Sequence, residues 1–230
     1  MTASVGGARD GVVRAALSDL YFHSMRLVGL NLLWGLGLLA IVFAALAWSP
    51  VSLVLTPILA IPAVGTFRMA ARIVRQEGDR SISGVLATSA SRAIGTVASG
   101  GAVLIAVIVL GSNAVIGLSG TQPFGWLLGT LAVWGLVLLW AVCLVALPLL
   151  ADPLRADDSL GERMRLAVAV LLAHPRRFAV VGASMAVFVV VSAVLTIVLL
   201  TTSLALAALI ACRIVYPLAD RQDLAMRHAS

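Results

Sequence analysis

The side chains best suited to chemistry in this chain are few and far apart. The three histidines, His23, His174 and His228, lie in separate polar segments. Neither cysteine, Cys143 or Cys212, has a second Cys or a His at ligand spacing, and both sit in apolar runs, where a thiol acts as a small hydrophobe. Ser-His-Asp spacing, HExxH, GxSxG and the phosphate-cradling GxxxxGK(S/T) do not occur. The expectation is therefore a protein without catalytic, cofactor-binding or metal-binding residues, and not an enzyme.

What remains is a short set of polar residues in or beside apolar runs. Asn31 follows Arg26 by about one turn, so its amide is expected to hydrogen-bond a neighbouring helix, a contact of roughly 0.6–2 kcal/mol in a membrane. Arg213 lies about one turn inside the last apolar run. It is expected to snorkel to the nearer interface, ahead of pairing with an acid such as Asp152. No Asp, Glu or His falls in the middle of an apolar run, which argues against a proton-coupled pump. Ser159-Leu160-Gly161-Glu162 has capping-box spacing: the Ser159 hydroxyl and the Glu162 carboxylate each satisfy a free backbone donor at a helix start.

The elements that carry these residues follow from the charge pattern. All 16 basic residues are arginine, and 27–67, 93–151 and 178–212 contain no Asp, Glu, Lys or Arg. Uncharged apolar runs this long mark membrane spans, and each is too long for one crossing; 27–67 alone would make a helix of about 60 Å. Breaks at Trp48-Ser49-Pro50, at 112–125 and near 198–203 give six spans: 27–48, 51–74, 94–112, 125–150, and two within 178–212. Ala45-Leu46-Ala47 resembles a cleavage site, but about 18 apolar residues precede it, so the first span is read as retained. With the N-terminus in the cytoplasm, all 16 arginines lie on the cytoplasmic side, whereas five spans would put Arg213, Arg221 and Arg227 outside. The expected fold is all-α: a polytopic six-helix transmembrane bundle over 27–217, with a partly amphipathic arm (1–26) and a tail (218–230), in the inner (plasma) membrane. The basic balance, +6 net, matches an anionic inner leaflet as partner and does not call for nucleic acid.

Short amphipathic helices are expected on the cytoplasmic side, in the headgroup plane or docked on a partner. One carries Leu160, Met164, Val168, Leu171 and Leu172 on its apolar stripe, with Glu162, Arg163 and Arg165 off it, and ends at His174-Pro175. A second runs from Ser81 to Arg92 with Ile82, Val85, Leu86 and Ile94. The arm has Val13, Leu17, Leu20 and Met25. The order span, inner helix, span occurs around 51–112 and 125–197, a weak parallel repeat. Gly125-xxx-Gly129, Gly182-xxx-Ala186 and Gly95/Ser99 permit close helix approach, within the bundle or in a homo-oligomer. Trp126, Trp134 and Trp140 read as interface anchors.

Asn31-Leu32-Leu33-Trp34 and Ile61-Pro62-Ala63-Val64-Gly65-Thr66-Phe67-Arg68 resemble two elements of the YesL-like family of bacterial integral-membrane proteins: an N-L-L-W signature in the first span, and a Pro-containing second span that ends in small and aromatic residues before a basic loop. The proline near the end of the fourth span, Pro148, is similar too. Leu55-Thr56-Pro57-Ile58 departs from the family's Thr-Ile-Gly-like stretch. The resemblance covers roughly 10–217 and singles out Asn31, Trp34, Pro62 and Arg68. It implies an accessory or assembly subunit of ATP-driven carbohydrate import, working beside permease and ATPase subunits. A self-contained small-solute transporter or channel is the alternative. Arg68, Asp152, Ser159, Glu162 and Arg213 complete the candidate residues.

Overall fold

In hydrocarbon, every backbone N–H and C=O must be satisfied within its own segment, so the uncharged runs form long helices. The computed structural model describes residues 5–47, 50–76, 81–91, 93–195 and 199–228, and among them every regular element is a helix. α1 is Val5–Phe22 and α2 is Ser24–Leu46. The second span joins α3 (Val51–Leu55), a 3-10 turn (Thr56–Leu59) and α4 (Ala60–Arg75). α5 is Ile82–Ala90, α6 is Ala93–Ser119 and α7 is Pro123–Ala151. A 3-10 turn (Pro153–Arg155) leads to α8 (Leu160–Ala173) and then α9 (Pro175–Val194). A π-helical turn, Leu199–Ser203, opens into α10, Leu204–His228.

Six helices are long and apolar enough to cross a membrane: Ser24–Leu46, Val51–Arg75, Ala93–Ser119, Pro123–Ala151, Pro175–Ser192 and Thr201–Met226. The chain is a six-span helical membrane protein. Several boundaries differ from expectation. The third span runs to Ser119 rather than stopping at 112, because Asn113 Nδ2 donates to the Val109 carbonyl and Ser119 Oγ to Ile116, so these polar side chains stay within the helix. The last helix passes 217 without a stop and continues to His228, with Leu218 and Ala219 buried. The break between the last two spans precedes Leu199: residues 199–203 belong to the helical entry of α10 and not to a tight turn. The expected break at Trp48-Ser49, Arg92 at the end of the second amphipathic helix, and residues 196–198 lie outside the described residues.

The core lies toward the arginine-bearing ends of the helices. Leu27, Leu30, Met69, Val145, Leu149, Val170, Phe178, Leu209 and Tyr216 are buried together there. α10 is central, packing on α1, α2, α4, α7 and α8. α6 is peripheral and packs mainly on α7. Glycine sets that crossing: a methyl on Gly117 would lie 2.5 Å from the Gly125 carbonyl oxygen and 2.7 Å from Gly129 Cα. Gly182 meets the Trp140 indole, whereas Gly95 faces open space.

The amphipathic helices are turned differently from expectation. α5 does bury Val85 and part of Ile82 and Leu86, but Ile94 is exposed. α8 rests on the bundle through Arg163, Leu166, Ala167 and Val170, leaving Leu160, Val168 and Leu172 outward. The expected stripe is thus divided: Met164 and Leu171 pack against the core while the other three face outward, and Arg163 is drawn inward by backbone carbonyls. α1 buries Ala16, packs Leu20 against the core and leaves Val13 and Leu17 exposed; Met25, also exposed, belongs to α2.

Candidate functional site

The densest polar constellation stands where α4 and α7 end and α10 passes them. Arg75 is the last residue of α4; Gln76, at φ 57°, closes that helix in the left-handed conformation. α7 stops at Asp152, which is extended (φ −65°, ψ 118°), as expected for a residue before proline. Asp152 therefore leaves the helix with its carboxylate aimed back across the bundle. Arg75 donates to it twice, from Nε to Oδ1 at 3.2 Å and from Nη2 to Oδ2 at 2.7 Å. The other edge of the guanidinium meets Asp220 of α10, Nη1 to Oδ2 at 2.8 Å and Nη2 to Oδ1 at 3.0 Å.

A second arginine closes the cluster. Arg155 Nη2 donates to Asp220 Oδ1 at 2.9 Å and Nη1 to Asp223 Oδ2 at 3.3 Å, and its Nε is 3.5 Å from Asp152 Oδ2. Tyr216 supplies the floor: its ring centroid is 4.4 Å from Arg75 Cζ, and its hydroxyl donates to the Pro148 carbonyl at 3.1 Å. That carbonyl is free because α7 ends at Ala151, within its last four residues. The Leu150 carbonyl accepts from Arg163 Nη1 at 3.3 Å, and the same guanidinium reaches the carbonyls of Ala156 (2.8 Å) and Asp158 (3.1 Å). Arg163 thus ties α8 to the end of α7 and folds the intervening turn. The whole arrangement is a clamp that holds α4, α7, α8 and α10 in register through planar, multiply donating guanidiniums.

The other predicted residues are dispersed. Asn31 is fully buried, and its Oδ1 accepts from the backbone N–H of Ala205 at 3.0 Å, joining the first span to the start of α10. Trp34 lies one turn further along α2 and is half-buried. Pro62 sits in the first turn of α4, its carbonyl accepting from Thr66 Oγ1 at 3.0 Å. Arg68 Nη1 donates to Ser89 Oγ at 3.0 Å and so ties α4 to α5. Ser159 and Glu162 form both bonds of the capping box, Ser159 N to Glu162 Oε2 at 2.8 Å and Glu162 N to Ser159 Oγ at 3.3 Å. Hydrogen bonding from Ser159, first of all from its backbone N–H, holds the Glu162 carboxyl below its ordinary range.

Arg213 corrects the snorkelling expectation. It pairs with Asp19 of α1, Nε to Oδ2 at 2.9 Å, with Nη2 on the same oxygen. Asp152 instead belongs to Arg75 and Arg155. Of the predicted residues only Asp152 lies in the clamp. Arg75, Arg155, Arg163, Tyr216 and Asp220 were not singled out from sequence. The available signal was a run of Asp at span ends (Asp152, Asp220, Asp223) beside arginines that the charge rule had already explained as topological.

Among the described residues no three His, Cys, Asp or Glu side chains are grouped to hold a metal ion. Cys143 and Cys212 are separate free thiols. No family model matches the chain, and neither a curated protein nor a solved structure matches it.

Proposed function

We propose that this protein is an accessory or assembly subunit of the inner membrane, with both termini in the cytoplasm, that acts by protein–protein contact beside an ATP-driven carbohydrate importer. The importer context rests on the resemblance at 31–34 and 61–68. The observation that carries the contact role is α1. This 18-residue helix stands apart from the six spans and is held on α10 by Ala16, Leu20 and the Asp19–Arg213 pair. Its outer side is a ridge of Val13, Leu17 and Tyr21 at four-residue spacing, all exposed. Apolar anchors at that spacing are the form in which one helix enters another protein's groove. The experiment is recovery from mild detergent: permease and ATPase subunits are expected with the wild-type chain and are lost with Val13→Glu/Leu17→Glu while membrane insertion stays normal. Equal recovery with the variant removes the role of α1.

A self-contained small-solute transporter is the second reading. It is favoured by Ser192, whose buried hydroxyl has no hydrogen-bond partner among the described residues, and by the π-helical turn Leu199–Ser203, a distortion common at functional sites. Flux by the purified protein in liposomes, lost with Asn31→Ala, selects that reading; flux no greater than in empty vesicles selects the accessory one.

A further inference from the structure

The geometry points to the α8–α9 corner as a seat for an anionic phospholipid, its phosphate on Arg176 and Arg177 and its acyl chain along α9. Asp152, Asp220, Asp223 and Asp158 are committed to Arg75 or Arg155, and Glu162 to the capping box. Arg176 and Arg177 are exposed and have no acidic partner among the described residues. They occupy the first turn of α9, immediately after Pro175.

What stands above them decides the partner. Val180 is one turn further along the same side of α9, and Val187 follows two turns later; both are exposed, at 40% and 64%. By helical rise Val187 is about 16 Å from Arg176, close to the depth of one hydrocarbon leaflet. A cationic pair at the base of an outward apolar stripe of that length matches a phosphate attached to an acyl chain. The adjoining outer side of α8 adds Val168 and Leu172 at 43% and 73% exposure, on the opposite face from the buried Leu166 and Val170. Soluble phosphate would use the arginines alone, and a zwitterionic lipid would use the apolar surface without net charge attraction.

The test uses the full chain, delipidated in detergent and titrated with phosphatidylglycerol or phosphatidylcholine, with bound lipid read by native mass spectrometry. Phosphatidylglycerol should be retained in preference to phosphatidylcholine. Each arginine near an anionic surface contributes about a fivefold change in affinity, so Arg176→Gln/Arg177→Gln should weaken phosphatidylglycerol binding on the order of 25-fold. Arg176→Lys/Arg177→Lys should keep most of it, and Arg14→Gln should leave it unchanged. Leu172→Ser should weaken both lipids. Should the double Gln variant lose helicity, Arg176→Gln alone carries the test at about fivefold. Equal retention of the two lipids, unchanged phosphatidylglycerol binding in the Gln variants, or full displacement by millimolar inorganic phosphate would overturn the assignment.

Discussion

Arg75 and Asp152 meet edge to edge, two nitrogens on two oxygens, although 77 positions separate them in the chain. The Asp152 side chain is 0% exposed and that of Arg75 14%. The Asp152 carboxylate has no water to fall back on if Arg75 is removed, so the pair fixes where α4 ends relative to α7.

Asp152→Asn should therefore lower stability by about 1–3 kcal/mol, the cost of weakening buried charge-assisted hydrogen bonds while Arg75 keeps Asp220. Replacing both, as Arg75→Met with Asp152→Leu, should cost much less. Thermal unfolding in detergent measures both variants, and a single variant no less stable than the double one would show that the pair is not a clamp.

Arg163 donates to three carbonyls, and Arg163→Leu should cost about 2–3 kcal/mol by leaving them without a donor. Arg163→Lys should recover only part, because one ammonium cannot span three acceptors. Proteolysis within 152–159 is the second readout, and cleavage there should rise in both variants.

Ser159→Ala should loosen the start of α8 by about 0.5–2 kcal/mol. The Glu162 pKa is lowered in the folded state. Its contribution is therefore present above the unfolded carboxyl pKa and is lost as pH falls through the lower folded value. Hydrogen exchange of amides 160–173, corrected for intrinsic rates, should rise on acidification. Glu162→Gln should abolish that rise; a rise of the same size in the Gln variant would place the titration elsewhere.

The topology gives a fourth prediction. In a Cys143→Ala/Cys212→Ala background, Thr121→Cys should react with an impermeant thiol reagent on intact cells. Asp157→Cys should react only after permeabilisation. Reversal of the two would invert the proposed orientation.

The spans were legible because charge is nearly absent from hydrocarbon, so the gaps between arginines map directly to crossings. The ends were less so: Asn113 looks like a turn residue until its amide is seen on the Val109 carbonyl. The clamp was hidden for a different reason. Arginines beside spans already have a sufficient explanation in topology, and nothing local tells Arg75 from Arg72, or says that Asp220 comes alongside Asp152. Arg163 shows the same limit in reverse. Hydrophobic periodicity places it on the wet side of α8, but the orphan carbonyls at the end of α7 outweigh periodicity. Asn31 was legible as a helix–helix contact, and only the structure names Ala205 as the donor.

Asn31 with Ala205, and Asp19 with Arg213, fasten the first helices to the last. Ribosomes add roughly 5–20 residues per second, so the 194 positions between Asp19 and Arg213 correspond to roughly 10–40 s of translation. For that interval the newborn first span and the arm before it wait with an amide and a carboxylate whose mates have not yet been made. The bundle gains its central helix only when its final segment arrives, and the wait is the period in which an insertase, a chaperone or a wrong neighbour has access to the place it will fill.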